Sequence, residues 1–87
     1  MTGYHAKEIA RGTFGEFSKI REEFEELEDA YDQKAYIMVL CELADMYGAM
    51  EAFVRNHFNM EMEDLKKMSD LTNQAFEDGT RQDRLPE

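Results

Sequence analysis

The sequence predicts an all-α protein: a helical hairpin plus a third helix, with a four-helix-bundle core completed by oligomerisation. Three observations predict it. Apolar residues recur in steps of three and four along three long segments. One proline and five glycines among 87 residues leave those segments almost uninterrupted. The middle segment is apolar over more than half of its circumference, too wide a face for one partner helix.

Residues 1–12 are weakly patterned, and Tyr4, Ile9 and Ala10 suit a short helix or an arm laid over a neighbour. Gly12-Thr-Phe-Gly15 is a breaker. Thr13 followed by Glu16 has the spacing of a capping box. Helix one is expected from about Phe14 to Ala30, with Phe14, Phe17, Ile20, Phe24, Leu27 and Tyr31 as its apolar stripe. Its other face is densely acidic. Asp32 is the expected N-cap of helix two, and so short a link makes the two helices antiparallel neighbours. Helix two is expected over about Gln33 to His57, with Gly48 as a point of close approach or mild bending. Asn59 is the expected cap of helix three, whose first turns hold Glu61, Glu63 and Asp64, where the macrodipole favours acids. Gly79 suits its C-cap. The domain then spans 13–79, and 80–87 is a polar tail.

Composition bounds the function. A chain this short buries a modest share of its surface, yet 43% apolar content with seven methionines is too rich for disorder. A net charge of −10 disfavours nucleic acid and anionic membranes as partners. An anionic substrate needs a bridging divalent cation. The single cysteine, Cys41, excludes an internal disulfide and a cysteine-based zinc site, and reads as a small core residue. No stretch reaches the ~18 apolar residues of a membrane span, and the first residues show no apolar signal region. A cytoplasmic location is the expectation. His5 and His57 lack a Glu-x-x-His arrangement, which argues against a di-iron bundle.

The chemistry lies in Val39-Leu-Cys-Glu-Leu-Ala-Asp-Met-Tyr47. Glu42 and Asp45 are the only formal charges between Lys34 and Glu51. Ionised carboxylates in an apolar run are costly unless something positive meets them. A second pair at the same spacing, Glu23 and Glu26, lies on helix one. Across a short turn the pairs reach similar heights, within roughly one helical turn of ~5 Å. Glu23, Glu26, Glu42 and Asp45 therefore make a hard-cation site, suited to Mg²⁺ or Mn²⁺. The competing readings are a solvated acidic face on helix one and, for Glu42 and Asp45, an edge position of a bundle or pairing with Arg55, Lys19 or Arg21.

Glu22-Glu23-x-x-Glu26, fifteen residues, then Glu42-x-x-Asp45 resembles the motif of the MazG-like all-α nucleotide pyrophosphohydrolases. Lys19-Ile-Arg-Glu-Glu and Glu42-Leu-Ala-Asp-Met-Tyr are similar to its flanking text, and Gln74-Ala-Phe-Glu-Asp-Gly-Thr-Arg81 to small phage-type members. The resemblance covers roughly residues 12–81. It implies hydrolysis of a nucleoside triphosphate between the α- and β-phosphates, giving a monophosphate and pyrophosphate. It implies Mg²⁺ held by Glu23, Glu26, Glu42 and Asp45, with Glu22 behind the ligands or acting as base. Lys19, Lys67, Asn73 and Arg81 are the candidate substrate contacts, with Lys66 and Gln74 behind them. Gly12–Gly15 offers backbone N–H groups but lacks the Gly-Lys-Ser/Thr ending of a phosphate-binding loop. A homodimer or homotetramer is expected. The alternatives are a phosphoribosyl-ATP pyrophosphohydrolase and a non-enzymatic acidic module that binds a basic protein.

Overall fold

The computed structural model of the chain describes residues 5–78. These form three α-helices and no strand: α1 (Phe17–Asp32), α2 (Tyr36–Phe58) and α3 (Met62–Asp78). The all-α hairpin with a third helix is present as the periodicity predicts. Gly79, Arg81 and the polar tail lie outside the described residues.

The helix ends differ from expectation, each for a local reason. Thr13 does not open a helix at Phe14. Its carbonyl accepts the Glu16 N–H at 2.9 Å in a tight turn, and Gly15 takes φ +90°, so α1 begins one turn later. Asp32 does not cap α2, because α1 runs on to include it. The chain instead reverses at Lys34, in the left-handed region at φ 60°. Ala35 N–H reaches Ala30 O at 3.0 Å and Lys34 N–H reaches Tyr31 O at 2.9 Å, the Schellman pattern. Asn59 closes α2 at φ 54° rather than opening α3. At the start of α3 the Glu61 N–H donates to Asp64 Oδ2 at 2.9 Å.

α1 and α2 pack antiparallel. At the open end Asn56 Nδ2 donates to Gly15 O at 3.1 Å and to Glu16 Oε2 at 3.0 Å. His57 Nε2 meets Glu16 Oε1 at 3.1 Å, and Phe17 meets Phe53 edge-on at 6.2 Å. At the closed end the Tyr31 and Tyr36 rings stand 6.4 Å apart.

The face that α1 buries is not its apolar stripe. Glu22, Glu23, Asp29 and Ala30 are buried, whereas Phe17, Phe24 and Tyr31 are exposed. Residues 22, 23, 26, 29 and 30 recur at helical spacing, so α1 buries its acidic face, with Glu23 and Glu26 toward Glu42 of α2 and Glu22 and Asp29 under the segment ahead of α1. The buried apolar core is small: Ala30, Ala49 and Val54. Leu40, Leu43 and Tyr47 on α2, and Met68 and Leu71 on α3, remain exposed in the single chain. Cys41 is exposed, not a core residue, because α2 turns Glu42 inward and its neighbour outward. Nothing approaches within 4 Å of a Cβ built on Gly48, so no close helix approach uses it within the chain. No described helix is long and apolar enough to cross a membrane.

The segment ahead of α1 is an arm, and the neighbour it lies over is α1 itself. Ala6 N–H donates to Asp29 Oδ2 at 2.8 Å and Gly12 N–H to Glu22 Oε1 at 2.8 Å. A Cβ on Gly12 would overlap the Ser18 carbonyl and the Lys19 amide nitrogen, both backbone. Gly12→Ala is therefore expected to lift the arm from α1 and to cost about 1–3 kcal/mol. A thermal melt checks it, and an unchanged melting temperature would contradict the close approach.

Candidate metal centre

The carboxylates that α1 and α2 turn toward each other form one cluster. Ligand atoms of Glu23, Glu42 and Asp45 lie within 4.8 Å of one another, and so do those of Glu22, Glu23 and Glu26. A third group joins His5, Glu26 and Glu42. All four residues expected from the sequence, Glu23, Glu26, Glu42 and Asp45, are thus brought together. Glu23, Glu26 and Glu42 each belong to two of the groups. Glu22, Glu23 and Glu42 are each at least nine-tenths buried, while Asp45 stands at the exposed rim.

Two oxygens in this cluster have nothing to bond. Glu23 Oε1 and Glu42 Oε1 are buried without a hydrogen-bond partner. A buried acceptor left so costs free energy, and a carboxylate more than most. The donor set is almost all carboxylate oxygen, which suits a hard cation. The residues fit the cation that the spacing implied.

The pairing alternatives for Glu42 and Asp45 are not realised. Arg55 pairs with Glu51 at 3.4 Å and Glu61 at 2.7 Å. Arg21 lies over the Phe17 ring at 5.5 Å. Lys19 Nζ sits 3.1 Å from both Glu22 Oε1 and Glu23 Oε2. Among the described residues no lysine or arginine comes within 4.0 Å of Glu42 or Asp45.

Electrostatics follow from this crowding. Burial first, then the Glu23 and Glu22 charges, lifts the Glu26 carboxyl to about 7. Burial and the neighbouring Asp45 raise Glu42 as well. Glu22 goes the other way. Burial would raise it, but the Gly12 N–H and the Lys19 ammonium more than offset that. Asp29 is also lowered, burial again being outweighed by the Ala6 N–H and His5.

Other expected contacts lie elsewhere. Lys19 faces the acids directly. Lys67 and Asn73 are exposed on α3, which packs little against the hairpin. The Gly12 N–H that seemed available to a phosphate is bonded to Glu22. The arm contributes what the sequence did not reveal. An open cavity of about 610 Å³ above the cluster is lined by His5, Lys7, Arg11 and Lys19 together with the α1 acids. The arm brings two cationic side chains, Lys7 and Arg11, and one acid, Glu8, to this cavity. The weak patterning of residues 1–12 allowed for an arm, but no local pattern marked His5, Lys7 or Arg11 as lining a cavity.

Comparison of the chain with protein-family models, curated proteins and solved structures found no match.

Proposed function

We propose that the protein is a divalent-cation-dependent nucleoside triphosphate pyrophosphohydrolase of MazG-like type, cleaving between the α- and β-phosphates. The observation that carries this reading is the convergence of Glu23, Glu26, Glu42 and Asp45 from two helices around two unpartnered buried oxygens. These four would hold Mg²⁺ or Mn²⁺. Such a cation, when bound, neutralises phosphate charge and lowers the pKa of a coordinated water. Water oxygen bonds to the α-phosphorus, the bond to the bridging oxygen breaks, pyrophosphate leaves, and the proton passes to a carboxylate of the cluster.

The chain's own residues supply orientation and charge. Glu22, with one oxygen taken by Gly12 and Lys19, positions the arm and the lysine behind Glu23. Lys7, Arg11 and Lys19 line the cavity beside the acids and would supply the positive charge that the outer phosphates of a nucleotide need.

A second copy of the chain completes the unit in this reading. Phe24, Leu27, Tyr31, Val39 and Leu43 line an apolar groove on the hairpin. Covering it with the same groove of a partner joins two hairpins into a four-helix core. The alternative, an acidic module for a basic partner, draws on the same exposed faces but leaves the buried Glu42 without a role.

The test is pyrophosphate release from a panel of nucleotides with Mg²⁺. Activity is expected to vanish with EDTA and to fall at least ~10²-fold in Glu42→Gln, beyond the range usual for groups that merely support a ligand. Absence of turnover on every nucleotide would sink the proposal.

A further inference from the structure

Among the described residues, His5 is the one imidazole that the fold brings to the acidic cluster. Its side chain is 7% exposed, as deep as the buried carboxylates beside it. Nδ1 lies 2.9 Å from Asp29 Oδ2. Asp29 also receives the Ala6 N–H at 2.8 Å and Gln33 Nε2 at 3.3 Å, so it is itself fixed. An ionised carboxylate only accepts hydrogen bonds, which places a proton on Nδ1. The other ring nitrogen, Nε2, then points into the cluster, 3.5 Å from Glu42 Oε2 and 4.0 Å from Glu26 Oε1. A carboxylate that fixes one ring nitrogen while the other faces acidic ligands is the arrangement by which proteins orient metal-binding histidines. The second oxygen of Glu42 is buried and unpartnered beside it.

We propose that His5 is a ligand of the bound cation through Nε2, with Asp29 as its positioning residue. His5, Glu26 and Glu42 then form a mixed nitrogen–oxygen half of the cluster, and Glu23, Glu42 and Asp45 an oxygen-only half. Imidazole favours transition cations over Mg²⁺, which retains oxygen ligands and water. The arm thereby turns a site legible as a Mg²⁺ site into one that prefers Mn²⁺ or a similar transition ion. This inference rests on the cation-binding part of the proposed function and not on its nucleotide chemistry.

The experiment titrates Mn²⁺ and Mg²⁺ into the full chain and into His5→Gln, with helicity checked by circular dichroism. Pulsed electron paramagnetic resonance of the Mn²⁺-loaded protein reads the ligand directly. Wild type is expected to show imidazole-nitrogen modulation, and His5→Gln to lose it. The Mn²⁺ dissociation constant is expected to rise ~10–100-fold in His5→Gln, and that for Mg²⁺ less than ~3-fold. Asp29→Asn is expected to weaken Mn²⁺ while keeping the nitrogen signal. The only other histidine, His57, is held at the far end of α2 by Glu16, so the wild-type signal is assignable even if the variant fails to fold. Mn²⁺ bound without nitrogen modulation, or bound equally well by His5→Gln, would overturn the proposal and leave the nucleotide reading standing. Nucleotide panels without turnover, alongside a nitrogen-ligated Mn²⁺, would overturn that reading and leave this one. No cation bound at all would overturn both.

Discussion

Glu42→Leu is expected to raise the melting temperature of the metal-free protein while abolishing its response to Mg²⁺ or Mn²⁺. Glu42 is 4% exposed, its Oε1 has no partner, and among the described residues no lysine or arginine comes within 4.0 Å of it, while His5 Nε2 stands 3.5 Å from its other oxygen. Its pKa is raised by burial and by Asp45, which means that its ionised form opposes folding. Replacing a poorly compensated buried charge by an apolar side chain of similar size typically stabilises by about 1–4 kcal/mol. In a domain of this size each kcal/mol moves the midpoint by roughly 4–8 °C. The wild-type protein should gain about 2.7 kcal/mol from a cation at a hundred times its dissociation constant, and the variant nothing. Melts with EDTA and with cation check both halves. A variant that melts lower than wild type in EDTA would show Glu42 to be a structural group, and one still stabilised by cation would remove it from the ligand set.

The metal-free protein is also expected to lose stability as pH rises from about 4.5 to about 7. Glu26 has its folded pKa lifted from 4.5 to about 7. A carboxyl with a raised folded pKa binds its proton more tightly when folded, so its contribution is full at low pH and is lost as pH climbs through that window. The shift corresponds to roughly 3 kcal/mol at most, an upper figure because a fifth of the side chain still meets water. Glu42 acts in the same direction. Glu22 and Asp29, both lowered, act oppositely, but only as pH falls below the ordinary carboxylate range. Glu26→Gln should flatten the loss between pH 4.5 and 7, and saturating cation should reverse it. Chemical denaturation in EDTA at several pH values measures it. A wild-type profile flat across that window would refute the crowding of charge around Glu26.

The acidic cluster was legible because Glu42 and Asp45 break an apolar run, and because Glu23 and Glu26 repeat their spacing across a short turn. Helix existence was legible for the same reason, periodicity sustained over several turns. Helix ends were not. Asn59 can cap a start with its side chain or end a helix in the left-handed region, and only tertiary packing decides between them. The inward face of α1 was misjudged in kind. Its stripe from Phe17 to Tyr31 has the period of a buried face, yet Glu22, Glu23 and Asp29 are the buried residues. A stripe left exposed in the single chain and one turned to the chain's own core look identical in sequence. His5 was invisible because its partners Glu26, Asp29 and Glu42 lie 21 to 37 positions away, with no local pattern to link them.

The small core has a mechanical consequence. Where α1 and α2 meet, the fully packed apolar residues are two alanines and a valine, and the carboxylates fill the rest of the seam. Large interdigitating side chains fix the distance between helices because close packing resists compression and expansion alike. At the open end the Phe17–Phe53 contact sets the spacing in this way, whereas around Glu23 and Glu42 no large side chain is fully buried, so the spacing there is expected to respond to whatever balances the charge. On the cation-binding reading, loading the centre is therefore expected to reshape the apolar groove lined by Phe24, Leu27 and Leu43.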